Sequence, residues 1–177
     1  FYFPADIEAH VRSLSERTST LRRSWNEDFD NWKQTHPSRA ELFERLRSKS
    51  LPNEWISSLP HFESGKEVAT RKASGDVINA MAKHLVELIG GSADLADSNN
   101  TTIEGSGSFL PSSSTMKGAN TYGRTIHFGI REHAMGAIAN GFALHGLTRP
   151  FVGTFLVFSD YMRGAVRLSA LMKLPVT

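Results

Sequence analysis

Residues 127–146 read HFGIREHAMGAIANGFALHG. The stretch opens on strand-like residues, turns at Gly129 and continues as a run of small and apolar residues at helical spacing. It sets Glu132 just after the strand and at the head of the helix, hemmed in by Gly129, Ile130, Ala134, Met135 and Gly136. A strand that runs straight into a helix is half of a βαβ unit, and the flanking sequence continues the alternation. TIHFG (125–129) reads as a strand, Ile130 to His145 as a helix, PFVGTFLVF (150–158) as a strand, Asp160 to Lys173 as a helix and LPVT (174–177) as the start of another strand. Upstream, residues 66–88 read as a helix and LIGGSADL (88–95) as a buried strand opening into a loop. The fold class expected is α/β, a parallel sheet with flanking helices.

Two other regions depart from this rhythm. The tract from Ser98 to Tyr122 is rich in Ser, Thr, Gly and Asn and reads as a long polar loop, of a length that inside a compact domain is usually functional or mobile. Ahead of Gly65 the chain is charged and helical. Ile7, Val11, Leu14, Leu21, Trp25, Phe29 and Trp32 recur at helical spacing from Ala5 to about Lys33. His36-Pro37 interrupts the pattern, because the residue before a proline is pushed out of helical geometry. A second helix then follows with Ser38 as its expected N-cap. The division expected is a helical connector over 1–64 and an α/β domain over 65–177.

Composition narrows the function classes. Hydrophobic residues at 40%, charged residues at 21% and a formal net charge of +2 describe an ordinary globular chain. Its basic pairs have acidic neighbours, so no nucleic-acid-binding stripe is expected. No apolar run reaches the length of a membrane span, and no membrane partner is expected. Zero cysteines exclude disulfides and thiolate metal sites, compatible with a reducing, cytoplasmic setting. The missing initiating Met and the short final strand are expected of a piece of a longer protein, since a parallel sheet is stable only when both faces are covered.

Ligands of open α/β sheets bind beyond the carboxyl ends of the strands. Glu132 falls at such a point, as do Asp94 after IGGSA and Phe155, Phe158 and Tyr161 around the next strand end. One carboxylate at a helix head, a further carboxylate and an aromatic cluster suit a flat heteroaromatic ligand with a nitrogen at its edge. A helix N-terminus favours negative charge while apolar neighbours oppose it, so Glu132 can share a proton with such a nitrogen. It can equally be a glutamate that caps backbone amides. Phe155 and Phe158 can be core packing, Arg71 a surface arginine or a phosphate clamp, and Ser98 a loop or capping serine.

Four ordered blocks, TRKASG (70–75), GGSADLADSNNT (90–101), FGIREHAMGAIANGFALHG (128–146) and GTFLVFSDYMRGAVRLSAL (153–171), resemble the pyrimidine-binding domain of transketolases, enzymes that use thiamine diphosphate. The resemblance covers about Lys66 onward, and the first section is similar to that family's inter-domain connector. It implies that Glu132 hydrogen-bonds the pyrimidine ring nitrogen of thiamine diphosphate, promoting the imino tautomer that generates the ylid. It implies that Phe155, Phe158 and Tyr161 line the pyrimidine pocket, with Phe158 stacking directly, and that Asp94 lies in the cofactor region. Arg71 and Ser98 would bind the phosphate of the sugar substrate.

The activity implied is transfer of a two-carbon ketol unit from a ketose phosphate such as xylulose 5-phosphate to an aldose phosphate such as ribose 5-phosphate or erythrose 4-phosphate. This is chemistry of the pentose phosphate pathway and the Calvin cycle. Family members are homodimers with the active site at the subunit interface. The domain that holds the diphosphate and its Mg²⁺ or Ca²⁺ ion is not in this sequence, so no metal ligand is expected here and the chain alone should be inert. The alternatives are a dihydroxyacetone synthase, which takes formaldehyde as acceptor, and a non-catalytic domain that keeps the fold.

Overall fold

The computed structural model describes residues 2–177, which separate into two compact units, one ending at Glu44 and the other Arg45–Thr177. The division falls ahead of the change in composition near Gly65, and Arg45 and Leu51 already pack within the α/β unit.

In the first unit α1 (Ala5–Thr35) runs longer than its apolar periodicity suggests. It stops where His36 leaves helical geometry ahead of Pro37. Pro37, not Ser38, starts α2 (Pro37–Arg47): its fixed φ and missing N–H suit the first helical position, so the expected Ser38 cap lies inside the helix. Trp25 stacks on Phe29 at 4.9 Å, Phe29 on Trp32 at 5.5 Å, and Phe43 meets Phe29 edge-on at 5.5 Å. This aromatic ladder joins the two helices in place of a buried core.

The second unit is a five-stranded sheet in the order β3-β2-β4-β1-β5, parallel throughout. Its strands are β1 (Leu88–Ser92), β2 (Ser108–Phe109), β3 (Ala119–Asn120), β4 (Thr125–His127) and β5 (Arg149–Gly153). β1 lies between β4 and β5, with Gly90 opposite Thr125 on one side and Phe151 on the other. A Cβ on Gly90 would lie 1.8 Å from the Phe151 carbonyl oxygen, and one on Gly91 1.9 Å from that of Ile126, so the glycine pair is a condition of this close strand packing.

Helices cover both faces. Phe151 and Val152 are neighbours in a strand and point to opposite faces. Phe151 joins Ala82, Leu85, Leu88 and Ile103 beneath α3 (Thr70–Ala82), while Val152 packs with Ala93, Phe128, Met135 and Met162 beneath α5 (Glu132–His145). A 3₁₀ helix (Leu156–Met162) and α6 (Arg163–Leu171) pack beside α5.

Several boundaries differ from those read in the sequence. The helix expected over 66–88 is confined to α3, because the Arg124 guanidinium donates to the carbonyls of Ala82 (3.1 Å) and Leu85 (2.9 Å) and caps it there. The long polar tract takes in the end of the short α4 (Ala96–Asn99) and the strands β2 and β3, which form by pairing, β2 with β4 and β3 with β2, rather than from apolar alternation. The strand expected over 150–158 ends at Gly153, whose carbonyl is taken by the Ala93 amide (3.1 Å) and the Ser92 hydroxyl (3.0 Å). Phe155 and Phe158 therefore leave the sheet. The terminal LPVT forms no assigned strand, yet Thr177 bonds the free edge of β5, donating to Pro150 (3.2 Å) and accepting from Val152 (2.9 Å). No helix among the described residues is long and apolar enough to cross a membrane.

One buried ion cluster fixes the start of this unit. Glu87, 6% exposed, receives two hydrogen bonds from Arg45 (2.8 and 2.9 Å), and the Arg149 guanidinium lies 3.5 Å away while also donating to the Lys49 carbonyl. Burial pushes the Glu87 carboxyl up, but the Arg45 hydrogen bonds and the two positive charges outweigh it and hold it below the ordinary carboxylate range. Arg45→Ala strands a buried carboxylate and is expected to lower the unfolding free energy by roughly 3 kcal/mol at neutral pH in urea titrations. Because the folded value is depressed, this stabilisation is complete above the ordinary carboxylate value of about 4.3 and is lost as pH falls through the lowered one. Glu87→Gln should remove that part of the acid dependence, and an unchanged acid profile would refute it.

Candidate functional site

The parallel strands deliver their carboxyl ends to one edge of the sheet, and a cleft of about 720 Å³ opens there. After β1 the chain passes through Asp94 (φ 60°) and Leu95 (φ 51°), two consecutive left-handed residues that are not glycine. Asn99 holds this turn. Its amide N–H donates to Leu95 (2.9 Å), and its side chain donates to the Ser92 hydroxyl (2.6 Å) and the Asp94 carbonyl (3.5 Å). After β4 the Phe128 amide bonds Ser92 (3.2 Å), Gly129 turns at φ 65°, and the Arg131 guanidinium donates back to the Phe128 carbonyl (3.1 Å). Glu132 is thereby the first residue of α5.

Glu132 is 7% exposed and lines the cleft, yet its carboxylate has no hydrogen bond or ion pair among the described residues and caps no backbone amide of α5. The capping reading is therefore not the one the structure adopts. Phe158 and Tyr161, from the 3₁₀ helix, line the same cleft with centroids 6.2 Å apart. Asp94 and Leu95 close the third side. A carboxylate that opens only into a cleft, without an internal partner and beside aromatic side chains, fits a planar ligand that presents an N–H or a shared proton.

The residues singled out in the sequence do not all meet here. Glu132, Asp94, Phe158 and Tyr161 share the cleft. Phe155 does not line it but stacks behind Phe158 at 5.9 Å, its ring within 4° of parallel. Arg71, exposed on the first turn of α3, lines a separate cleft of about 410 Å³ with Asn99, Thr101 and Thr154. The buried hydroxyls of Thr101 and Thr154 have no hydrogen-bond partner among the described residues. Ser98 lies half-buried on α4 and lines neither cleft, whereas its neighbour Asn99 reaches both by lining one and tying the Asp94 turn of the other. Leu95 and Arg131 were missed in the sequence. Their only signal there is adjacency to Asp94 and Glu132.

Residues 66–177 match the family described as the transketolase pyrimidine-binding domain. The chain belongs to this family. It is 53% identical over 175 residues to a transketolase of Mycobacterium tuberculosis, covering 97% of this chain and 25% of that protein. It is 49% identical over 177 residues to the transketolase of Geobacillus stearothermophilus, covering 99% and 25%. A crystal structure of Pichia stipitis transketolase in complex with sedoheptulose 7-phosphate superposes with a TM-score of 0.89 at 38% identity, covering 99% of this chain and 26% of that one. The Leishmania mexicana transketolase superposes with a TM-score of 0.86 at 34% identity, covering 99% and 25%. This transketolase pyrimidine-binding domain, with the segment ahead of it, thus spans about a quarter of the length of the relatives it matches.

The turn that shapes the cleft carries strain that can be measured. A leucine in the left-handed region costs about 1–2 kcal/mol, so Leu95→Gly is expected to raise the unfolding free energy by about 1 kcal/mol despite the flexibility it adds to the unfolded chain. A urea midpoint that falls instead would show that Leu95 packing outweighs the strain.

Proposed function

We propose that this chain supplies the pyrimidine-binding half of a transketolase active site, in a protein that transfers a two-carbon ketol unit from a ketose phosphate to an aldose phosphate. The observation that carries this reading is Glu132, a residue only 7% exposed whose carboxylate has no partner among the described residues and which lines one cleft with Phe158 and Tyr161. When bound, thiamine diphosphate supplies a carbanion-stabilising centre that lets the carbon–carbon bond beside a ketose carbonyl break and re-form.

Glu132 would hold a proton against the aminopyrimidine ring nitrogen, with the N-terminus of α5 supporting its negative charge. Phe158 and Tyr161 would form the aromatic side of the pocket, backed by Phe155, and exclude water from that proton. Asp94 would sit at the cofactor's edge. Arg71 would clamp the phosphate of the sugar by charge-assisted hydrogen bonds, with Ser98 approaching from α4.

Among the described residues no group of three or more His, Cys, Asp or Glu side chains is placed to hold a metal ion. In this reading the diphosphate and a Mg²⁺ or Ca²⁺ ion are held by a domain outside this chain. A second subunit would supply that domain in a homodimer. Residues 1–64 then serve as the connector to it, and the absence of cysteine suits a cytoplasmic setting.

Two substitutions in the full-length protein test this. Glu132→Gln keeps the shape but cannot carry the proton, and is expected to lower thiamine-diphosphate-dependent ketol transfer by about 10²-fold or more. Activity within a few-fold of the parent would remove the proton role. Arg71→Ala should raise KM for phosphorylated donors by about tenfold or more and leave unphosphorylated sugars nearly unaffected. Equal losses for both classes would count against the phosphate contact.

A further inference from the structure

Two turns along α5 from Glu132 lies a polar group that the proposed chemistry does not use. Asn140 is 6% exposed on α5, and its side-chain amide donates to the Ala165 carbonyl of α6 at 2.9 Å. It shares a helix face with Gly136 and Glu132, since the three follow one another at intervals of four residues.

The seam along this face is built from small residues. A Cβ on Gly136 would lie 2.8 Å from the Ala165 Cβ and 3.1 Å from the Met162 Cε, so the two helices touch where Gly136 has no side chain. Ala139, Ala143 and Ala165 are buried as well. Small apolar surfaces give contact but little direction, so a slide of one helix along the other meets weak resistance. A buried amide paired with one particular carbonyl is directional, and breaking it leaves a desolvated donor. The Asn140–Ala165 bond therefore sets the register of α6 against α5.

That register matters because α6 follows the 3₁₀ helix without a break, and this helix carries Phe158 and Tyr161. Met162, 8% exposed, joins the two and packs in the cluster with Met135 beneath α5. A slip of one residue along α6 would move the aromatic wall by about 1.5 Å relative to Glu132.

We propose that Asn140 is a positioning residue, whose hydrogen bond to Ala165 across the Gly136 seam holds the Phe158–Tyr161 wall at its working distance from Glu132. The inference rests on the cofactor reading of the cleft. It acts on binding of the heteroaromatic ring and leaves the sugar phosphate site alone.

The test uses the full-length protein and thiamine diphosphate with Mg²⁺, with affinity followed by intrinsic fluorescence or calorimetry. Asn140→Ala is expected to weaken thiamine diphosphate binding about tenfold, the scale of an ångström-sized misplacement, with KM for the sugar donor changed less than about two-fold. Gly136→Ala, which keeps the amide but wedges a methyl group into the seam, should weaken cofactor binding in the same direction and carries the test if Asn140→Ala does not fold. In a Phe158→Ala background the Asn140→Ala effect should shrink, because the group being positioned is gone.

Three results would overturn the inference: cofactor affinity unchanged in Asn140→Ala, a loss no greater than that of Leu85→Ala in the other core cluster, or an undiminished effect in the Phe158→Ala background. Failure of the cofactor reading looks different. There Phe158→Ala and Glu132→Gln would themselves leave cofactor affinity unchanged, and the inference would fall with it.

Discussion

The unit from Arg45 onward depends on how closely β4 and β5 approach β1. With Gly90 and Gly91 at its centre, β1 accepts a backbone carbonyl from each neighbour in the space where a Cβ would otherwise stand. That approach allows parallel ladders on both sides of so short a strand, and parallel ladders send every carboxyl end to the same edge. The cleft follows from this. Asp94 leaves β1, Glu132 follows β4, and Phe158 follows β5, three points distant in sequence that converge because their strands are adjacent and aligned.

The parts of this arrangement legible in the sequence were those encoded locally. The strand-to-helix step at Gly129–Glu132, the small-residue helix after it and the start of β5 all carry their own periodicity. The parts not legible depend on distant partners. Arg124 ends α3 through carbonyls some forty residues earlier in the chain, and nothing in the apolar spacing of residues 66–88 marks that stop. β2 and β3 are two residues each and exist through pairing, so no alternation could reveal them. Phe158 faces the cleft because the chain leaves the sheet at Gly153, which the apolar run PFVGTFLVF conceals.

The candidate site shows the same division. Glu132 stood out because a carboxylate among small apolar residues needs a reason, and its lack of an internal partner supplies one. Arg71 and Ser98 are paired through family resemblance alone; Arg71 lines its own cleft, while Ser98 lies half-buried on α4 and lines none. Asn99 passes unnoticed in a serine-rich tract, yet it links the two regions through the Ser92 hydroxyl and the Asp94 carbonyl. No composition rule singles out one asparagine among several in a polar loop. Only the fold shows which one reaches a strand end.

Two kinds of buried polar group are at work here. Glu87 is saturated, with two hydrogen bonds from Arg45 and a second guanidinium beside it, and its energy goes into fixing the segment that precedes the sheet. Glu132 is nearly as buried but has no such partner, and it lies where three strand ends meet. Its carboxylate opens into the cleft with its acceptor capacity unused inside the chain, so a ligand there can complete it. The saturated group belongs to stability, and the unsaturated one is the group we propose for binding. Asn140 falls between them: its own bond is made, and that bond lies on the helix face that begins with Glu132. In the proposed reading, the face that carries the binding carboxylate also carries the contact that keeps the Phe158–Tyr161 wall in register.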